Sequence, residues 1–296
     1  MKKILVPTDF SPWAQVAGDL AVQLAPFLNT GVDFLHRLYL PPLWDGYSEA
    51  EQKQFPFSRT QYEQMQDRFR RLQQRYEGHG VPLSTAYVSG DLIPAITQYK
   101  EDDGIYMIVM GSHGTEELSA KILGSNAQKV VRHAHCPVLV LKNETKVAGI
   151  KNIVFASDFK EEAERPYEWL MEFGRRMGST LHLLHIMPYG QKEIPANVEE
   201  RMNEFASRYP LKVHVHVEKD IELGVGIAYA AQQLGADMVA LAHPQRSAFM
   251  RFLTGSVTEE LVNQLDIPVL ALNMPPQGFT EQGQELHEVK KLHLIQ

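Results

Sequence analysis

The chain repeats itself, and this constrains its fold more than any other feature. Lys3-Ile4-Leu5-Val6-Pro7-Thr8-Asp9-Phe10 recurs 149 positions later as Asn152-Ile153-Val154-Phe155-Ala156-Ser157-Asp158-Phe159. Phe34-Leu35-His36 returns at the same offset as Leu183-Leu184-His185. Gly124-Ser125 returns as Gly255-Ser256 at an offset of 131, and Cys136-Pro137-Val138-Leu139-Val140 then returns as Ile267-Pro268-Val269-Leu270-Ala271. Four anchors in one order imply two copies of one domain within 296 residues, each of ordinary domain size. The shrinking offset gives the first copy about 18 extra residues, which fall in segment 38–80. The expected layout is a domain over 1–142, a polar joint at Asn143–Gly149, a second domain over 150–273 and a polar tail over 274–296.

Each copy alternates short apolar strands with helices. In the first copy the strands are Lys3–Val6, Val32–Leu38, Leu83–Val88, Met107–Met110 and Val138–Leu141. In the second they are Ile153–Ala156, Thr180–Ile186, Lys212–Val217, Met238–Leu241 and Val269–Leu272. Strands apolar on both faces belong in a buried parallel sheet. Ser11-Pro12 reads as a hydroxyl N-cap followed by proline in the first turn, opening a helix over Pro12–Phe27. Further helices are expected at Ser58–Tyr76, Leu92–Glu101 and Asn126–Ala134. The predicted fold class is α/β, two doubly wound, Rossmann-like domains of five strands each, mainly parallel. In such sheets ligands bind beyond the C-terminal strand ends. Within the expansion, Tyr62, Met65, Phe69, Leu72 and Tyr76 make a helical stripe. The stripe reads as core-facing, with a lid or partner-binding helix as the other possibility. The end of the tail, Glu285–Ile295, reads as disordered or as an amphipathic turn or two.

Composition narrows the function. Lys and Arg total 29 against 36 Asp and Glu, a net charge of −7. That balance argues against nucleic acid and against a polybasic membrane contact. No apolar run approaches the length of a secretory core or a membrane helix, so a cytoplasmic protein is expected. The lone Cys136 precludes an intrachain disulfide and fits a reducing compartment. A buried structural thiol is its plain reading, and a redox sensor its alternative.

One segment carries chemistry. Met110-Gly111-Ser112-His113-Gly114 follows a predicted strand, and nine residues later Gly124-Ser125 opens a predicted helix. Glycines let backbone amides approach an anion, and a helix N-terminus offers unpaired N–H donors and a positive dipole end. The Ser125 hydroxyl adds a donor. There is no G-x-x-x-x-G-K-[ST], so this is not a P-loop. Asp9, just past the first strand, is placed to accept hydrogen bonds from an adenine amino group or ribose hydroxyls. Asp-x-Ser-Pro is equally good turn chemistry.

At these residues the chain resembles a tandem universal stress protein, from Met1 to Asn273 apart from the expansion. Gly111, Gly114, Gly124 and Ser125 fill the family pattern G-x2-G-x9-G-[ST]. The resemblance implies strand order 3-2-1-4-5 in each domain and antiparallel pairing of the two last strands across a pseudo-twofold axis. The molecule would then be a self-contained pseudo-dimer or a homodimer of such chains. It implies an adenine nucleotide, usually ATP, with Mg²⁺ as a possible companion. Pro7, Thr8 and Asp9 would meet adenine and ribose. Met110, Gly111, His113 and Gly114 would line ribose and phosphates, and Gly124, Ser125, Asn126 and Ala127 would cradle the phosphates. Two positions depart from the family. Arg37 replaces a small apolar adenine wall, and either stacks on the base or fills the pocket. Asn126-Ala127 replaces Val-Thr and removes a hydroxyl.

In the second copy Ala242, Pro244 and Gln245 stand in the first part of the motif, while Asp158 and Gly255-Ser256-Val257-Thr258 persist. These read as a folding relic or as a site for a modified ligand. His182, His214 and His216 share neighbouring strands and read as a strand face rather than a zinc site. No catalytic residue and no metal ligand is assigned, and hydrolysis, if any, would be slow. The reading is an ATP-binding stress-response sensor or switch. The alternative is a scaffold that binds an unknown protein partner through the 38–80 expansion.

Overall fold

The computed structural model describes residues 1–97, 104–114, 123–160, 163–188, 196–208, 211–242, 256–274 and 289–291. The first half runs β1 (Lys3–Pro7), α1 (Pro12–Leu28), β2 (Gly31–Arg37), the short α2 (Glu49–Gln52), α3 (Pro56–Tyr76), β3 (Leu83–Val88), α4 (Leu92–Thr97), β4 (Ile105–Gly111), α5 (Ser125–His133) and β5 (Pro137–Leu141). The second runs β6 (Asn152–Ala156), α6 (Glu164–Met177), β7 (Thr180–Pro188), α7 (Ala196–Ser207), β8 (Val213–Asp220), α8 (Leu223–Gln233), β9 (Met238–Ala242), α9 (Ser256–Gln264) and β10 (Val269–Leu272). Parallel pairing gives 3-2-1-4-5 in the first half and its equivalent, 8-7-6-9-10, in the second. β5 and β10 pair antiparallel, Val140 opposite Val269 and Val138 opposite Ala271, so one sheet runs through both halves.

Alternation along the strands builds a core on each face of this sheet. Ile4 and Val6 of β1 face one way, with Phe69 of α3, Leu170 of α6 and Met202 of α7. Leu5 faces the other way, with Ala95 of α4, Val130 of α5, Ile227 of α8 and Leu261 of α9. Both cores draw residues from both halves.

Local chemistry starts and stops these elements. The Ser11 hydroxyl accepts from the Ala14 N–H at 3.1 Å, and Pro12 occupies the first turn of α1. Asn29, left-handed at φ 53°, ends it. Helix α3 begins two residues before its expected start. Its stripe faces the core: Met65, Phe69 and Tyr76 are buried, Tyr62 and Leu72 half-buried. Phe34 stacks on Tyr76, whose hydroxyl donates to Asp19. The Leu92–Glu101 helix is described only to Thr97, and its remainder lies outside the described residues.

The tail departs from expectation. Val289–Lys291 forms a strand, β11, antiparallel to β3, with Val289 opposite Val88 and Lys291 opposite Ala86. The first half therefore carries a sixth strand. A helical turn cannot satisfy an open sheet edge, whereas an extended segment supplies the ladder bonds β3 otherwise lacks.

Candidate functional site

The two copies of the Asp-Phe segment fold alike in detail. Thr8 N–H donates to Leu35 O, and Ser157 N–H to Leu184 O. Phe10 N–H donates to Thr8 Oγ1 at 3.0 Å, and Phe159 N–H to Ser157 Oγ at 3.1 Å. Ser11 N–H donates to Asp9 Oδ1 at 3.0 Å, and Lys160 N–H to Asp158 Oδ1 at 3.3 Å. These bonds hold Phe10 and Phe159 in the left-handed region, at φ 62° and 53°. Both strained residues are anchored by aromatic packing, Phe10 on Phe69 and Phe159 on Phe155 and Phe205. His36 and His185 each bring Nδ1 to the carbonyl of the preceding hydroxyl residue, at 2.7 and 3.1 Å. A carbonyl only accepts, so Nδ1 carries the proton in both rings. Burial lowers the pKa of both imidazoles.

In the first half this turn forms one wall of a cavity of about 300 Å³. Every first-half residue of the expected site lines it: Pro7, Thr8 and Asp9 after β1, Arg37 at the end of β2, Met110, Gly111, His113 and Gly114 after β4, and Gly124, Ser125 and Asn126 at the start of α5, with Ala127 behind them. The cavity opens beyond the C-terminal ends of β1, β2 and β4, where a doubly wound sheet leaves a crevice.

The glycines serve different purposes. A Cβ on Gly111 would stand 2.8–2.9 Å from the Cβ, carbonyl carbon and carbonyl oxygen of Trp13. Gly111 therefore lets α1 close onto β4. A Cβ on Gly114 would stand 2.8 Å from Asp9 Oδ2, so this glycine leaves room for the carboxylate. Gly124 is the N-cap of α5, at φ −60° and ψ 148°. Its N–H donates to Ser112 O at 2.8 Å, and Ser112 N–H donates to Leu141 O at 2.7 Å, which ties the cradle to β5. The Gly124 amide is thus engaged, and the first-turn amides of α5 are the ones without intrahelical acceptors.

His113 is the most telling member. It is 7% exposed, and its Nδ1 lies 2.7 Å from Ser112 Oγ. Its Nε2 is buried and has no hydrogen-bond partner among the described residues. A buried polar atom left unpaired costs free energy, on the order of 1–3 kcal/mol. That nitrogen is closed off from the cavity, and it is Asp9 and the first turn of α5 lining the cavity that fit a polar ligand.

Arg37 is half-buried, with its guanidinium carbon 5.3 Å from the centre of the Tyr39 ring, and it leaves the cavity open. Sequence reasoning missed Arg68, which lines the same cavity from α3 and lies over the Phe10 ring at 5.5 Å. The available signal was its place beside Phe69 at the margin of the apolar stripe. The expansion thus contributes to the first-half cleft.

In the second half the Asp158 carboxylate meets Lys160 Nζ at 3.1 Å, and Lys160 occupies the position of Ser11. Val257 and Thr258 are buried in α9, at 4% and 1% exposed. Ser256 begins that helix, while Gly255, Pro244 and Gln245 lie outside the described residues. His182, His214 and His216 do gather, with ring centroids 5.2–6.5 Å apart and His182 Nδ1 3.1 Å from His216 Nε2. No group of three or more metal-ligating side chains arranged to hold an ion occurs among the described residues. Cys136 packs against the apolar core, and burial pushes its thiol up to about 12, which marks an inert thiol rather than a reactive one. No helix among the described residues is long and apolar enough to cross a membrane.

Fold and repeat together define the class: an α/β protein of two tandem Rossmann-like halves sharing one sheet. The sequence profile described as the Universal stress protein family matches residues 1–142 and 149–273. The chain belongs to that family. It is 23% identical to a universal stress protein of Mycobacterium tuberculosis over 92% of this chain and 95% of the relative. A universal stress protein of Methanocaldococcus jannaschii is 30% identical over 49% of this chain and 84% of its own length. Among solved structures, a universal stress protein from Archaeoglobus fulgidus superposes with a TM-score of 0.68 at 20% identity, covering 93% of this chain and 97% of that one. That likeness concerns the fold.

Proposed function

We propose that the first-half cleft binds an adenine nucleotide, with ATP as the ligand, and that the protein acts as a nucleotide-dependent sensor or switch in a stress response. The observation that carries this reading is the cavity of about 300 Å³ in which Asp9, Gly111, Gly114 and the N-terminus of α5 meet. The α5 terminus would hold phosphate through its first-turn amides and dipole. Asp9 Oδ1 already holds the Ser11 amide, so ribose or adenine would add to a carboxylate that its turn has fixed in place. Mg²⁺, if present, would come with the phosphates. In the second half, the Asp158–Lys160 ion pair supports a cleft that keeps the family's turn without its ligand.

Calorimetric titration of ATP, with and without Mg²⁺, into the native chain and Gly124→Asp tests the reading. Aspartate is a favoured N-cap, so the variant keeps α5 while placing a carboxylate against the phosphates. Binding near one site per chain, lost in Gly124→Asp, is the expected result. Absence of binding to native protein stripped of nucleotide would overturn it. The scaffold reading rests on Tyr39, Leu43 and Phe57, exposed at 62%, 78% and 73% in the expansion. A protein partner lost on replacing Tyr39, Leu43 and Phe57 together by serine, with the thermal unfolding midpoint unchanged, would favour that alternative.

A further inference from the structure

A second cavity, of about 270 Å³, adjoins the first and shares Arg37, Leu92 and Asn126 with it. Its other walls are Asp91, Ile93 and Pro94 at the start of α4, and Lys129 and His133 on α5. Asn126, Lys129 and His133 follow one another at spacings of three and four, so a single face of α5 runs from the phosphate cradle along the second cavity.

The walls of this cavity suit a nucleoside. Leu92, Ile93 and Pro94 offer an apolar surface for a flat ring. Asp91 and His133 offer hydrogen bonds to its edge. The His133 Nδ1–H donates to Lys129 O at 2.9 Å, which leaves Nε2 for a ligand. Of the charged groups lining it, Arg37 and Lys129 outnumber Asp91, a balance that favours phosphate. Arg37 stands in both cavities, has Tyr39 beside it, and makes no ion pair among the described residues. A guanidinium partition of this kind would meet a negative linker between two ligand halves. A mononucleotide in the first cavity would leave the second open.

Resting on the nucleotide reading above, we infer that the first-half cleft takes a dinucleoside polyphosphate. One nucleoside occupies each cavity, and the phosphate chain crosses the shared wall at Arg37 and Asn126. The second nucleoside adds its contacts within an already bound molecule, so it raises affinity without a second loss of translational freedom.

The test titrates ATP and diadenosine tetraphosphate separately into the full chain, Lys129→Met and Ile93→Trp, and reads the ratio of the two affinities. Lys129 is exposed, so its variant folds; the tryptophan fills the second cavity. In the native chain the dinucleotide is expected to bind roughly tenfold tighter than ATP or better. Both variants should bring the ratio to about one. ATP binding with no preference for the dinucleotide, or a preference that survives both variants, would overturn the inference and leave the nucleotide reading standing. Absence of binding by either ligand would overturn both.

Discussion

At the scale of single residues, two positions are informative because the neighbours they touch cannot give way. The neighbours of Gly111 are backbone and Cβ atoms of Trp13, fixed in the first turn of α1. Gly111→Ala must therefore push α1 off β4, and should cost about 1–3 kcal/mol by overpacking. Urea unfolding would read this as a lower midpoint with an unchanged slope. His182 is the second. Burial first, then His216, His214 and Lys212, lower its pKa from 6.5 to about 4. In the unfolded chain the imidazole takes up its proton at the higher pH. Stability that is complete above pH 6.5 is thus lost as pH falls toward 4. Unfolding midpoints measured from pH 7 downward should show His182→Gln losing less across this window than the native chain.

At the scale of elements, legibility followed periodicity and local chemistry. The α1 start was written in Ser11-Pro12, and the core-facing side of α3 in five apolar residues at helical spacing. The cradle was legible because glycine and serine stood at fixed distances after a strand. Arg68 was not, because the sequence does not show which margin of α3 overhangs the cleft. That margin is set by Phe69 packing on Phe10, a contact between segments 59 residues apart. β11 was not legible either. Three residues carry no periodicity, and their strand exists only because β3 offers an edge. Its removal should be felt there alone. A chain ending at Asn273 should exchange its β3 amide hydrogens faster, while β7 and β8 keep their protection. Hydrogen exchange read by mass spectrometry would check this.

At the scale of the whole molecule, the repeat does not produce two independent bodies. β5 and β10 join the halves by backbone ladder, and each core crosses from one half to the other. Neither half can lose its fold without exposing apolar surface on the other. Heating should therefore give one transition, with calorimetric and van't Hoff enthalpies in agreement. Two resolved transitions would contradict the shared core. The copies nevertheless differ at their outer ends. β11 lies against β3, while β8 has no further strand beside it among the described residues. A sheet with two bare ends can grow by addition of copies without limit, as a filament does. The tail strand does not close its end, since β11 becomes the new edge, but its three residues offer a pairing copy fewer ladder bonds than the eight of β8. The two ends of the sheet are thus unequal templates, and β8 is the longer one presented to a neighbouring strand.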